Sequence, residues 1–313
     1  MKTNNLKGSL ILGAAALIWG LAFVAQSSAA DSIPPFIFNC LRSYIGAAAL
    51  FIFVLIRDRK NNTPLIPQEK KEKYFFLKGG IFCGTMLAVS VNFQQFGIAA
   101  YPDHTATEAR AGFITALYVI LVPLFSIFAR KKISVNVWLG VLIALCGIYM
   151  LCLTGGVSTI YAGDLLMFIC ALSFSFHIML VDKFVTLIDG VKLSMIQFLV
   201  CGTFSLILSL CFELHSISLS GILEAAFQIL YLGIMSSGVA YTLQIIGQKY
   251  AEPTIASITM SFESVFAALG GCLISGNTLS SRELLGCIFV FAAIIVSQLP
   301  PLKFKKSNIK QQP

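Results

Sequence analysis

Charge is scarce in this chain: only 12% of its 313 residues are Asp, Glu, Lys or Arg, about half the roughly 25% usual in soluble domains. With 57% hydrophobic residues and a mean hydropathy of +0.86, that shortage excludes a soluble protein, and the same apolar content excludes a disordered one. Catalytic signatures are also missing. There is no H-E-x-x-H, G-x-S-x-G, Walker A or G-x-G-x-x-G sequence, and the three histidines, His104, His177 and His215, fall on different segments. Nine cysteines include no C-x-x-C pair, so they read as packing residues, not as a zinc or redox site. No metal site and no cofactor is expected. A channel or receptor, and less so an intramembrane enzyme, stand as the alternatives to a carrier; no selectivity-filter sequence supports the channel.

Apolar runs of spanning length are what the chain has instead. They cover residues 7–29, 34–56, 74–98, 106–129 and 133–153, then 162–184, 192–213, 226–248, 254–275 and 282–300. Each can cross about 30 Å of hydrocarbon as a helix. Turn formers such as Pro34-Pro35, Thr154-Gly155-Gly156 and Gly276-Asn277 separate them. The first run imitates a signal peptide, with Lys2 and Lys7 ahead of it and Ser27-Ser28-Ala29-Ala30 at its end. It is long for a signal, and the repeat described below needs it, so it is expected to stay as a span.

The net charge of +8 could suggest nucleic acid, but the cations sit in short connections between spans. Nineteen of the 22 Lys and Arg fall on the side of the N-terminus, Arg282 alone on the other, and Arg42 and Arg110 inside spans. This asymmetry predicts a multi-pass protein of the cytoplasmic membrane with both termini cytoplasmic and the lipid bilayer as its partner.

Sliding the chain against itself gives ordered matches. Ala16-Leu17 meets Ala171-Leu172 and Arg42 meets Gln197 at an offset of 155; Gln94 and Gly97 meet Gln244 and Gly247 at 150; Ala111 and Leu124 meet Ala256 and Leu269 at 145. The halves are residues 1–153 and 154–313, the second ending in a short basic tail. Five spans per half is an odd number, so the second half enters the bilayer from the opposite side. The fold expected is an all-α polytopic membrane protein of ten transmembrane helices, arranged as two inverted five-helix repeats.

Three stretches carry a family resemblance: Ala16-Leu-Ile-Trp-Gly-Leu-Ala-Phe-Val-Ala-Gln26, Ala109-Arg-Ala-Gly-Phe-Ile-Thr-Ala-Leu-Tyr-Val-Ile-Leu-Val-Pro123, and Glu252-Pro-Thr-Ile-Ala-Ser257 with Phe262-Glu-Ser-Val-Phe-Ala-Ala268. Together they resemble the EamA family of the drug/metabolite transporter superfamily. The resemblance covers essentially the whole chain and implies a ten-helix inner-membrane carrier that exports amino acids or other small metabolites. The chain departs from the family pattern around Tyr101-Pro102-Asp103-His104-Thr105, where relatives connect more tightly.

A charge at mid-span costs about 2.5–3.5 kcal/mol on insertion scales, so polar residues there are the candidate pathway. Glu263 follows Pro253 by ten residues, about 15 Å of helix, and is the one carboxylate near the midplane. It is the default proton site, and Tyr118 is its repeat counterpart. Arg42 and Arg110 either snorkel outward or meet a substrate carboxylate or a gate acid. His177 and Trp19 lie at mid-span, as cavity or as packing residues. Asn92, Gln94 and Gln95 in span 3, with Tyr241 and Gln244 in span 8, are expected to line two entrances. Pro123 should allow a bend in span 4, and Gly80-x-x-x-Gly84 and Ala267-x-x-x-Gly271 should allow close helix contacts.

Overall fold

A computed structural model describes residues 5–102, 107–131, 133–152, 160–275 and 280–299. The turns expected at Thr154-Gly155-Gly156 and Gly276-Asn277, most of the Tyr101–Thr105 extension, the surroundings of Gly271 and the basic tail lie outside the described residues. The described chain is all-helical. In order it forms α1 (Asn5–Ala30), α2 (Pro35–Lys60), α3 (Lys70–Ala99), α4 (Thr107–Thr115), α5 (Tyr118–Phe128), α6 (Val135–Cys152), α7 (Ala162–Phe184) and α8 (Gly190–Phe212). The short α9 (Leu219–Glu224) and α10 (Ala226–Tyr231) then lead through a π-helical stretch, Leu232–Ala240, into α11 (Tyr241–Tyr250). The last three are α12 (Pro253–Met260), α13 (Glu263–Ser275) and α14 (Ser281–Gln298).

Among the described residues seven segments are long and apolar enough to cross a membrane: α1, α2, α3, the pair α4–α5 from Arg110, α7, α8, and the run from α10 to α11. Two shorter apolar helices, Val135–Met150 and Leu284–Gln298, stand beside them. The sequence sets several starts. Pro35 and Pro253 occupy first-turn positions of α2 and α12, where a missing N–H costs nothing. Asp189 caps α8 by accepting from Lys192 N at 3.0 Å.

Many apolar residues face outward, and many polar ones join the buried apolar core inward. Ile52, Phe53, Leu142, Leu165, Ile207 and Phe227 are among the exposed apolar side chains, whereas Asn39, Gln95, His177, Gln197 and Gln248 are fully buried. In water such a perimeter would drive aggregation; against lipid tails it costs nothing. Helices α3 and α7, α3 and α8, α2 and α8, α1 and α11, α1 and α13, and α6 and α14 pack side by side. At Gly84 a Cβ would stand 2.6 Å from Val200 Cβ and 2.7 Å from Gln197 O, and at Gly20 2.7 Å from Ala267 N. Glycine is what lets α3 approach α8 and α1 approach α13.

The two runs read from the sequence as spans 4 and 9 are not continuous helices. The first breaks at residues 116–117 and the second at 261–262. The bend in span 4 is therefore not made by Pro123, which lies inside α5. Span 9 has alanine at the equivalent position and breaks at the same place. Both breaks are closed by short i→i−3 bonds: Leu117 N to Ile114 O (3.1 Å) and Val119 N to Ala116 O (3.0 Å) in one, Phe262 N to Thr259 O (3.3 Å) and Ser264 N to Ser261 O (3.1 Å) in the other.

Candidate functional site

The two breaks meet at a cavity. Tyr118, the first residue of α5, donates its hydroxyl to Glu263 Oε1 at 2.9 Å; Glu263 is the first residue of α13. Both are buried, at 4% and 5% exposure, and both line a partly open cavity of about 490 Å³, the solvent space at its mouth included. A helix break places a side chain near the bundle axis while freeing backbone groups to re-pair locally, as membrane helices do where they line a cavity.

From α1 the stripe Trp19, Ala22, Phe23 and Gln26 faces this space, spaced as one helical face. Arg42 from α2, Gln94 from α3, Phe174 and Ile178 from α7, and Tyr241 and Gln244 from α11 complete most of the wall. Trp19 meets Tyr241 edge-on at 4.8 Å. Seven of the eleven residues picked from the sequence are thus brought together: Trp19, Arg42, Gln94, Tyr118, Tyr241, Gln244 and Glu263. Gln94 shares one cavity with Tyr241 and Gln244.

Arg42 does not snorkel: it is 3% exposed, with its guanidinium 3.3 Å from Gln26 Oε1. Three other picked residues hold the walls together. His177 Nε2 pairs with Gln197 Oε1 at 3.0 Å, and Gln95 donates to Gln26 O at 3.1 Å. Asn92 accepts from Asn39 (2.9 Å) and donates to Ser205 Oγ (2.9 Å), tying α2, α3 and α8 together.

Arg110, the eleventh, has found an acid. Its Nε and Nη2 each stand 2.6 Å from the two Asp164 oxygens, which also accept from Tyr101 Oη (2.9 Å) and Tyr161 N (2.8 Å). Burial, with the Asp164 carboxylate as its acceptor, pushes the Tyr101 phenol up, so Tyr101 remains a donor at any working pH. This latch joins α4 to the start of α7. At the other end of the bundle Lys192 pairs with Asp58 at 2.7 Å and Arg57 with Asp189 at 3.2 Å, joining α8 to the end of α2.

Sequence reasoning passed over Gln26 as a site residue, although it stands seven residues beyond Trp19 on the same face. It also missed Thr115 and Ser236, whose polarity is too slight to separate them from ordinary helix contacts. Among the described residues no cluster of three or more metal-binding side chains occurs.

A membrane-spanning helical bundle with a cavity of mixed polar and aromatic lining suits a membrane transporter, and the family match shows that class. The chain belongs to the EamA-like transporter family, whose profile matches residues 6–153 and again 161–298. Among similar proteins, an uncharacterized transporter of Archaeoglobus fulgidus is 29% identical over 306 residues, spanning 95% of this chain and 87% of that protein. The uncharacterized inner membrane transporter YedA of Escherichia coli is 27% identical over 289 residues, 90% of this chain and 87% of its own. A crystal structure 20% identical in sequence superposes with a TM-score of 0.74, covering 93% of this chain and 96% of the other. That likeness establishes the fold alone.

Proposed function

We propose that the protein is a secondary carrier that moves small polar metabolites, amino acids or similar compounds, out of the cell by alternating access. Its ten spans form two inverted repeats, residues 1–153 and 154–313, with both termini cytoplasmic. The observation that carries this reading is the composition of the cavity wall. Trp19 and Phe174, and Phe23 and Ile178, line the cavity at an offset of 155; Gln94 and Gln244 line it at 150; Thr115 and Met260, and Tyr118 and Glu263, line it at 145. A cavity lined by repeat-related pairs lies on the pseudo-twofold axis. There, exchange of the two repeat conformations exposes one site alternately to the two sides.

The helix contacts support the same relation. The packing of α3 on α7 is matched by α11 on α1, that of α3 on α8 by the π-helical stretch on α2, and α6 and α14 pair with each other. No nucleotide-binding loop is present in the sequence, so a gradient supplies the drive, and Glu263 is the proton-coupling group.

Two experiments test this. A reporter fused after Pro313 is expected to be active only in its cytoplasmic form; activity on the far side of the membrane would remove the even span count and the inverted repeat together. Purified protein in liposomes is expected to move a small metabolite without ATP, at a rate that saturates. Many charges per opening would make it a channel, and chemical conversion of the solute would make it an enzyme.

A further inference from the structure

The repeat-related pairs leave a remainder. Arg42 lines the cavity, but its counterpart Gln197 is turned away to His177. Residues that serve the exchange of conformations must recur in both repeats, whereas a residue found in only one gives the cavity a polarity and so orients its ligand.

We propose that Arg42 reads the anionic head of the transported solute: the cavity takes a small organic monocarboxylate, its carboxylate on the guanidinium and its apolar part against Trp19, Phe174 and Tyr241. This deepens the carrier reading and rests on it. An arginine keeps its charge in proteins, and a buried charge is costly unless paired. Arg57 and Arg110 have carboxylate partners. Among the described residues none lies within ion-pairing distance of Arg42, whose one hydrogen bond goes to the neutral Gln26.

Gln26 is itself fixed. Its amide donates to Ala22 O at 3.4 Å and its backbone oxygen accepts from Gln95 at 3.1 Å, while the Phe38 ring centroid stands 5.8 Å from the guanidinium carbon. One edge of Arg42 is thereby held to the wall, leaving other donors for the planar two-oxygen group that guanidinium suits best. Two more wall groups await partners: the buried Trp19 Nε1 and Gln244 Oε1 have no hydrogen-bond partner. The wall holds one cation, Arg42, and one acid, Glu263. When Glu263 carries its proton, a single negative charge balances Arg42, whereas a dianion would leave excess negative charge among buried groups.

The test uses the full chain in lipid nanodiscs with Trp138→Phe, which leaves Trp19 as the reporter. Lactate, phenylacetate and phenylalanine are titrated beside their uncharged amides lactamide and phenylacetamide and the amine phenethylamine. Saturable changes in Trp19 emission are expected with at least one carboxylate, with the matching amide or amine at least ten times weaker. Arg42→Gln should weaken the carboxylate at least tenfold and Arg42→Lys less. Equal binding of acid and amide, unchanged binding in Arg42→Gln, or no carboxylate bound by the parent overturns the proposal. If Arg42→Gln does not fold, the acid–amide comparison in the parent and the Arg42→Lys titration decide. A carboxylate that binds but is not moved across liposomes sinks the carrier reading and spares the subsite. One moved equally well by parent and Arg42→Gln does the reverse.

Discussion

Glu263→Gln is expected to leave the protein inserted and folded while transport falls by on the order of tenfold or more, or loses its dependence on pH. Glutamine keeps the size of the side chain and an oxygen for the Tyr118 hydroxyl, now 2.9 Å from Glu263 Oε1, but it cannot bind and release a proton. The position gives the substitution its leverage. Glu263 begins α13 just after a break, faces the cavity, and touches its own repeat counterpart. A proton taken or given there changes the hydrogen bond by which Tyr118 joins α5 to α13. Tyr118→Phe, which removes the donor and spares the acid, should shift the pH profile without abolishing it. The measurement is uptake into liposomes across a range of pH, with Glu263→Gln insertion checked by its elution as a single folded species. Parent-like transport by Glu263→Gln at every pH would end the proton role, and a failure to fold would make Glu263 a packing residue.

Asp164→Asn is expected to cost the most stability of any single polar change at the α4–α7 end. Arg110 and Asp164 side chains are only 12% and 13% exposed and share two bonds of 2.6 Å. Removing one partner of a fully buried pair costs about 3–5 kcal/mol; the residual solvent contact puts this pair toward the lower figure. Asparagine still offers an acceptor to Tyr101 or Tyr161, so the loss tracks the missing carboxylate charge opposite Arg110. The unfolding temperature in detergent should drop for Asp164→Asn, and the exchange Arg110→Asp with Asp164→Arg should recover part of it. An Asp164→Asn protein that melts with the parent would show that the latch contributes nothing.

Legibility in the sequence followed periodicity. The all-helical membrane class could be read because hydrophobic runs are carried by many residues at once. The pairing of Tyr118 with Glu263 could be approached because the offset of 145 predicts that they face one another. Asp164 and Arg110 could not be joined this way: they stand 54 residues apart, and no periodic signal tells a solvated acid at a helix start from one that reaches across to a neighbour. The breaks escaped for a different reason. Proline advertises a missing donor, so Pro123 drew attention, yet Ala116-Leu117 and Ser261-Phe262 contain no helix breaker, and only the equivalence of the two sites marks them. Arg42 was ambiguous because its depth suits either a snorkelling side chain or a cavity one, and that choice is made by Gln26 on a different helix.

The helix α2 has no side-chain cap of its own behind Pro34. The amides of Phe36 and Ile37 instead donate to the Glu213 carboxylate, both at 2.9 Å, across 177 and 176 residues of chain. During synthesis that end of α2 is made long before its acceptor exists, and a helix-start amide buried without a partner is costly. The first half is consequently an unfinished object until the eighth helix arrives. Maturation of this protein is a joint act of both halves, and fragments divided near residue 155 must be supplied together to reach the same end state.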